Sequence, residues 1–298
     1  MSREATVPRP APITRHPQPC MKPTALIASL AVCAAVIGLT LRADEGSASP
    51  KPLRALLVIG GCCHDYAKQK EILKSGLEAR ANVTVDILYT PDSGTRYRFP
   101  EYENPDWAKG YDVVIHDECT ADVKDAAFVE NIVAAHRNGV PAVNLHCAMH
   151  SYRVGKFNQP IEPGSPDALW FDFIGLQSSG HGPQEPIAIT FTDTAHPITK
   201  GMENWTTIKE ELYNNHAVFP TAHPLAKGVQ GKSEAVVAWT NTYGPKKTRV
   251  FSTTIGHNNE TVADARYLDM IARGLLWSTG KLSDDGTPVA GYGAAKAK

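Results

Sequence analysis

The chain has 298 residues, 42% of them hydrophobic and 8% aromatic, with a formal net charge of −1. That composition excludes a disordered, collagen-like or small disulfide-scaffold protein and supplies enough apolar side chains for one large core or two small ones. Near-neutral charge argues against nucleic acid as a partner, because such proteins carry a basic face to neutralise phosphates.

The charge is unevenly spread. Residues 1–43 hold Arg3, Arg9, Arg15, Lys22 and Arg42 against the single acid Glu4, which leaves 25 basic and 30 acidic residues in the remainder, a net charge of −5. Residues 24–41 (TALIASLAVCAAVIGLTL) carry no charge. Met21 and Lys22 precede this run and Leu41-Arg42-Ala43 closes it. A basic start, an apolar run and a small residue at the exit describe a secretory signal peptide. Met21 is the expected true start and Ala43 the expected last leader residue. The domain is then periplasmic or secreted, with membrane contact only through an uncleaved anchor. Cys20 and Cys33 leave with the leader. Cys62, Cys63, Cys119 and Cys147 remain, in a compartment where disulfides persist. They are packed thiols, or two of them bridge.

Residues 44–52 read as a polar linker. Leu53–Ile59 is a nearly continuous apolar run, as expected for a strand buried on both faces. Tyr66–Arg80 has helical spacing, Val83–Tyr89 is a second strand, and residues 90–110 are a long loop. Tyr111–His116 is a third strand, Ala126–His136 an amphipathic helix stopped by Asn138-Gly139, and Val140–Leu145 a fourth strand. Such alternation predicts a parallel sheet. Residues 155–184 read as a Gly/Pro-rich insertion in which 178–182 (SSGHG) has the composition of a mobile lid. Pro186–Thr192, Glu234–Trp239 and Arg249–Ile255 are further strands, and residues 262–278 a closing helix. The expected organisation is one α/β domain over 53–280, with a disordered Gly/Ala/Lys-rich tail at 281–298.

In an open parallel sheet, ligands bind beyond the carboxyl ends of the strands. Those ends read Gly60-Gly61-Cys62-Cys63-His64-Asp65, His116-Asp117-Glu118-Cys119, His146-Cys147-Ala148-Met149-His150 and Gly256-His257-Asn258-Asn259-Glu260. Five of the ten histidines beyond the leader stand there. Imidazole serves as a base near neutral pH or as a metal ligand. His64, His146 and His257, converging with Glu210 or Glu211, would suit a divalent metal such as zinc, although no HExxH or CxxC spacing supports one. His136 reads as a helix C-terminal charge and His116 as a packed strand residue. Cys147 raises nucleophilic catalysis, with His257 as its base and Glu260 as the orienting acid.

The segments GGCCHDY (60–66), VPAVNLHCAMHSYR (140–153), HPITKG (196–201), KEELYNN (209–215), RVFSTTIGHNNE (249–260) and RGLLW (273–277), in that order, resemble the ThuA-like family, named for trehalose utilisation. The resemblance implies a flavodoxin-like open parallel sheet with helices on both faces, of the class I glutamine-amidotransferase type. It also implies carbohydrate catabolism, with a small-molecule carbohydrate as partner, and leaves a homo-oligomer open. By register from Pro141, the amidotransferase nucleophile position falls on His146 and not on Cys147. The acid expected two residues after His257 is replaced by Asn259. Both departures argue against glutaminase chemistry.

The resulting catalytic set is His64, His146, His257, Glu211 and Tyr213. His150, His181, Trp107 and Tyr152 are candidate substrate contacts, and the metal set is His64, His146 and His257. The expected activity is that of a lyase, isomerase or hydrolase on a glycoside or keto-sugar. A non-catalytic sugar-binding protein and a Cys-His amidase using Cys147 are the alternatives.

Overall fold

The computed structural model describes residues 50–294. The signal peptide expected over 1–43 and most of the linker at 44–52 lie outside those residues. Among the described residues no helix is long and apolar enough to cross a membrane.

The amino-terminal half follows the sequence reading. Strand β1 (Leu53–Gly61) leads into helix α1 (Tyr66–Glu78), then β2 (Val83–Thr90), β3 (Val113–Cys119), α2 (Ala126–Arg137) and β4 (Ala142–Leu145). Every residue of β3 and β4 is buried, as the apolar starts Val113–Ile115 and Ala142–Val143, without alternation, indicated. The Asp125 carboxylate accepts from the amides of Ala127 (3.0 Å) and Phe128 (3.3 Å) and starts α2, satisfying donors that have no partner within the helix.

The second half adds α3 (Leu169–Ile174), β5 (Leu176–Phe191), β6 (Trp205–Val218), β7 (Ala222–Gln230), β8 (Ser233–Tyr243), β9 (Thr248–Thr253), α4 (Asn259–Val262) and α5 (Ala265–Ser278). One nine-stranded sheet results, in the order β2-β1-β3-β4-β9-β8-β7-β5-β6. Pairs from β2 to β9 are parallel and those from β9 to β6 antiparallel. The expected open parallel sheet is therefore one end of a mixed sheet. Two cores cover its faces. Leu73 and Leu77 of α1 join Leu268, Ile271 and Leu275 of α5 on one face. Phe128 and Ile132 of α2 join Trp170 and Phe173 of α3 on the other.

Three expectations are corrected. Residues 178–182 are not a lid but part of β5, paired to β6 through Ser178–Asn215 and His181–Tyr213 with irregular register between them. The expected Gly/Pro-rich insertion at 155–184 contains helix α3, whose Trp170, Phe171 and Phe173 are buried. The tail is tied down as far as it is described. Leu282 is buried, the Val289 amide donates to Lys281 O (2.8 Å), and the Asn82 amide donates to Tyr292 O (3.0 Å). Each contact fixes backbone that the polar composition alone would leave free.

Candidate active site

The site stands where four chain segments meet beside the parallel strand ends. The turn after β1 supplies His64, the 3-10 turn His146–His150 after β4 supplies His146, and the loop after β9 supplies His257. The antiparallel strand β6 reaches across with Glu210, Glu211 and Tyr213. Two glycines make the approach feasible. A Cβ on Gly61 (φ +100°) would lie 2.3 Å from Cys119 O, and one on Gly256 (φ +132°) 2.8 Å from Tyr267 Oη. His146 itself has φ 36°. That is the sharp strand-to-helix turn which, in α/β hydrolases, pushes a nucleophile out of the backbone line.

Glu211 is the hub. Its carboxylate lies 3.5 Å from His146 Nε2, 3.3 Å from His257 Nδ1 and 3.6 Å from His181 Nε2. The ring centroids of His64 are 4.7 Å from both His146 and His257. His146 Nδ1 faces the Thr254 carbonyl at 2.6 Å. A carbonyl only accepts, so Nδ1 carries the proton and Nε2 is the nitrogen turned to Glu211. His146 Nε2 and His257 Nδ1 are buried and make no well-directed hydrogen bond among the described residues. Burial pushes the Glu211 carboxyl up, but the imidazoles of His146 and His257 facing it outweigh burial and hold the group well below the usual carboxylate range. The Glu211 carboxylate facing Nδ1 raises the His257 imidazole in turn, against its partial burial. Both shifts favour a carboxylate facing an imidazolium.

Glu210 points elsewhere and holds the loop. It accepts from the amides of Gly256 (3.3 Å), His257 (3.0 Å) and Asn258 (3.1 Å). A small cavity of about 120 Å³, lined by Gly61, His64, Asp65, Tyr66 and Thr90 among others, opens beside His64.

The family model for trehalose utilisation, ThuA, matches residues 54–278. The chain belongs to the ThuA family. It is similar in fold to a ThuA-like protein of Parabacteroides merdae, at 20% identity and TM-score 0.58, over 83% of this chain and 98% of that one. A ThuA-like protein of Bacteroides uniformis is similar at 15% identity and TM-score 0.52, over 77% and 93%. No curated protein matches the chain.

Within this ThuA-family site, His64, His146, His257, Glu211 and Tyr213 come together. Tyr213 is buried, and its ring lies 4.9 Å from that of His146. His150 is also near but buried. It stacks on Tyr213 at 4.1 Å and faces Ser178 Oγ at 2.9 Å. Burial holds its imidazole well below the ordinary value, so it is neutral and supports Tyr213 instead of meeting solvent. His181 is exposed at the rim.

Trp107 and Tyr152 are not at the site. Tyr152 is fully buried and donates to Glu118 Oε1 (3.0 Å), while the Trp107 ring packs on Tyr102, His116 and His136. They belong to a buried polar network in which His116 joins Glu118 (2.9 Å) to His136 (3.0 Å). His136 is accordingly no surface charge, since burial keeps it neutral.

The three-histidine metal set is also revised. The close donor group is His146, Glu211 and His257, and His64 belongs to a second group with His146 and Cys147. Glu260 is exposed and does not orient His257. Cys147 is buried, and its thiol is pushed up first by the hydrogen bond with Cys119 and then by burial, the opposite of an activated nucleophile. Sequence reasoning missed the loop-holding role of Glu210. The adjacent pair Glu210-Glu211 on a strand was the available signal, because successive side chains there point to opposite faces.

Proposed function

We propose that this ThuA-family protein is a carbohydrate-processing enzyme acting on a glycoside or keto-sugar by proton transfer at His146, Glu211 and His257. The observation carrying the reading is two imidazoles aimed at one buried carboxylate, with no other partner for either nitrogen among the described residues. The family's link to trehalose utilisation supports the substrate class. Glu211 keeps His257 protonated, so His257 donates its proton to a carbonyl or leaving-group oxygen as negative charge develops there. His146, fixed as the Nδ1–H tautomer by Thr254 O, takes a proton from the adjacent carbon through Nε2. His64 and Tyr213 line the same space. We also infer, from the leader at residues 24–41 alone, that the domain works outside the cytoplasm.

A second arrangement is favoured by the donor set. His146 Nε2, Glu211 and His257 Nδ1 offer three ligand atoms within 4.8 Å of one another. His146 also gives its other N–H to a backbone carbonyl, the usual way a metal-bound imidazole is oriented. A divalent ion such as zinc held there would supply Lewis-acid stabilisation of the same developing charge.

The test is turnover of a panel of glycosides and keto-sugars, with metal analysis of the purified protein. Glu211→Gln is expected to lower turnover by at least about 100-fold with the fold intact. Full activity in that variant would overturn both arrangements. A stoichiometric divalent ion lost in His146→Ala selects the second arrangement, and metal-free protein that turns over selects the first. Sugar binding without turnover would make the chain a binding protein.

A further inference from the structure

The four cysteines beyond the leader are placed in series, a pattern that the proton-transfer chemistry does not use. Cys62 and Cys63 are joined in a disulfide between adjacent residues at the mouth of β1. Cys62 Sγ lies 3.4 Å from Cys119 Sγ at the end of β3, and Cys119 Sγ lies 2.9 Å from Cys147 Sγ in the turn after β4. Cys147 Sγ is in turn 3.0 Å from His64 Nε2. Exposure falls along the line: Cys63 is exposed, Cys62 half-buried, and Cys119 and Cys147 are 4% and 5% exposed. Gly61 permits the arrangement, since any side chain there would collide with the Cys119 backbone and hold the β1 and β3 ends apart.

We propose that these residues form a thiol–disulfide relay, in which one bridge moves between the exposed Cys62–Cys63 pair and the buried Cys119–Cys147 pair under the candidate catalytic histidines. In the first step Cys119, having lost its proton to water, attacks Cys62 Sγ as the thiolate. The Cys62–Cys63 bond breaks, a Cys62–Cys119 bond forms, and Cys63 leaves as a thiolate that takes a proton from water. In the second step Cys147, no longer paired with a Cys119 thiol, attacks Cys119 Sγ; the Cys62–Cys119 bond breaks, a Cys119–Cys147 bond forms, and Cys62 leaves as a thiolate that takes a proton from water. The Cys147 proton goes to His64 Nε2. That nitrogen is the acceptor because His64 Nδ1 faces the His257 carbonyl at 3.3 Å and so carries the ring proton. One disulfide and two thiols stand on each side of the exchange, so no oxidant is consumed. A low-molecular-weight thiol or disulfide can enter only at the exposed end. The far end touches the site, because a bridged Cys147 no longer places a free thiol against His64 Nε2 and constrains the backbone next to His146.

The test starts from fully reduced protein treated with oxidised glutathione. Samples are acid-quenched over time, alkylated with N-ethylmaleimide and digested without reduction for mass spectrometry. Wild type is expected to yield Cys62–Cys63 peptides first and Cys119–Cys147-linked peptides later. In Cys62→Ser the buried linkage is expected to form at least about tenfold more slowly, since the entry point is lost. Cys63→Ser combined with Cys147→Ser keeps Cys62 as an entry point but removes the second attacking thiol, and is expected to accumulate the Cys62–Cys119 linkage. Formation of the buried linkage at the wild-type rate in Cys62→Ser would overturn the relay. So would its absence from wild type. If Cys62→Ser fails to fold, absence of a Cys62–Cys119 linkage in the Cys63→Ser, Cys147→Ser double variant overturns it equally.

Discussion

Glu210 provides the sharpest test of how the site is held. It is wholly buried, and its two oxygens accept three amides of the loop that carries His257, at 3.0–3.3 Å. Glu210→Ala removes all three acceptors. A hydrogen bond to a charged group is worth about 1.5–3 kcal/mol, and leaving its partner unpaired costs a further 1–3 kcal/mol or so. The three bonds share one carboxylate and the loop can take up water, so their values do not add. The expected loss is about 3–5 kcal/mol, the range for breaking a buried charged contact. In a domain of this size that corresponds to a fall of roughly 10 °C in Tm. Glu210→Gln keeps one acceptor oxygen and should lose only about 1–2 kcal/mol. Urea unfolding followed by circular dichroism gives both values. A Glu210→Ala variant within about 0.5 kcal/mol of wild type would refute the reasoning, because that is the range of surface substitutions.

Gly61→Ala should fail to fold or lose several kcal/mol, since the new Cβ would stand 2.3 Å from Cys119 O at φ +100°; a melting temperature equal to wild type would contradict the close approach of β1 and β3. The Glu211–His257 pair makes stability depend on pH from both sides. The depressed Glu211 carboxyl contributes fully above its ordinary value of 4.5 and its contribution is lost as pH falls below it. The raised His257 imidazole contributes fully below its ordinary value of 6.5 and its contribution is lost as pH rises through the folded-state value above that. Stability from the pair should therefore be greatest between about pH 4.5 and 6.5, and denaturant titrations across pH should show that maximum flattened in Glu211→Gln. An unchanged profile in the variant would show that the two groups do not interact.

The parallel half of the fold was legible because β1, β3 and β4 are almost wholly buried and carry short apolar runs such as Ala55–Ile59, Val113–Ile115 and Ala142–Val143. The antiparallel half was obscured. Strand β6 carries Lys209, Glu210 and Glu211 in sequence, and β5 contains Gly180, Gly182 and Pro183, residues that ordinarily mark loops. Pairing partners distant in sequence, not local preference, make these segments strands. The site histidines were legible from their places at strand ends. The aromatic contacts were not. Trp107 and Tyr152 have the residue types of a sugar-stacking face, yet partners at Glu118, His116 and Asn131 draw them into the core. Glu211 was reachable as a site residue, but its place as the shared partner of His146 and His257 depends on β6 crossing to the parallel strand ends, which the expected all-parallel sheet had no strand to provide.

The central claim is that His257, held protonated by Glu211, does the chemistry with His146. The most direct measurement is kcat/KM of His257→Ala against wild type on whichever sugar of the panel is turned over, with circular dichroism confirming the fold. The account predicts a fall of at least about 100-fold. Wild-type kcat/KM in a folded His257→Ala protein would contradict it.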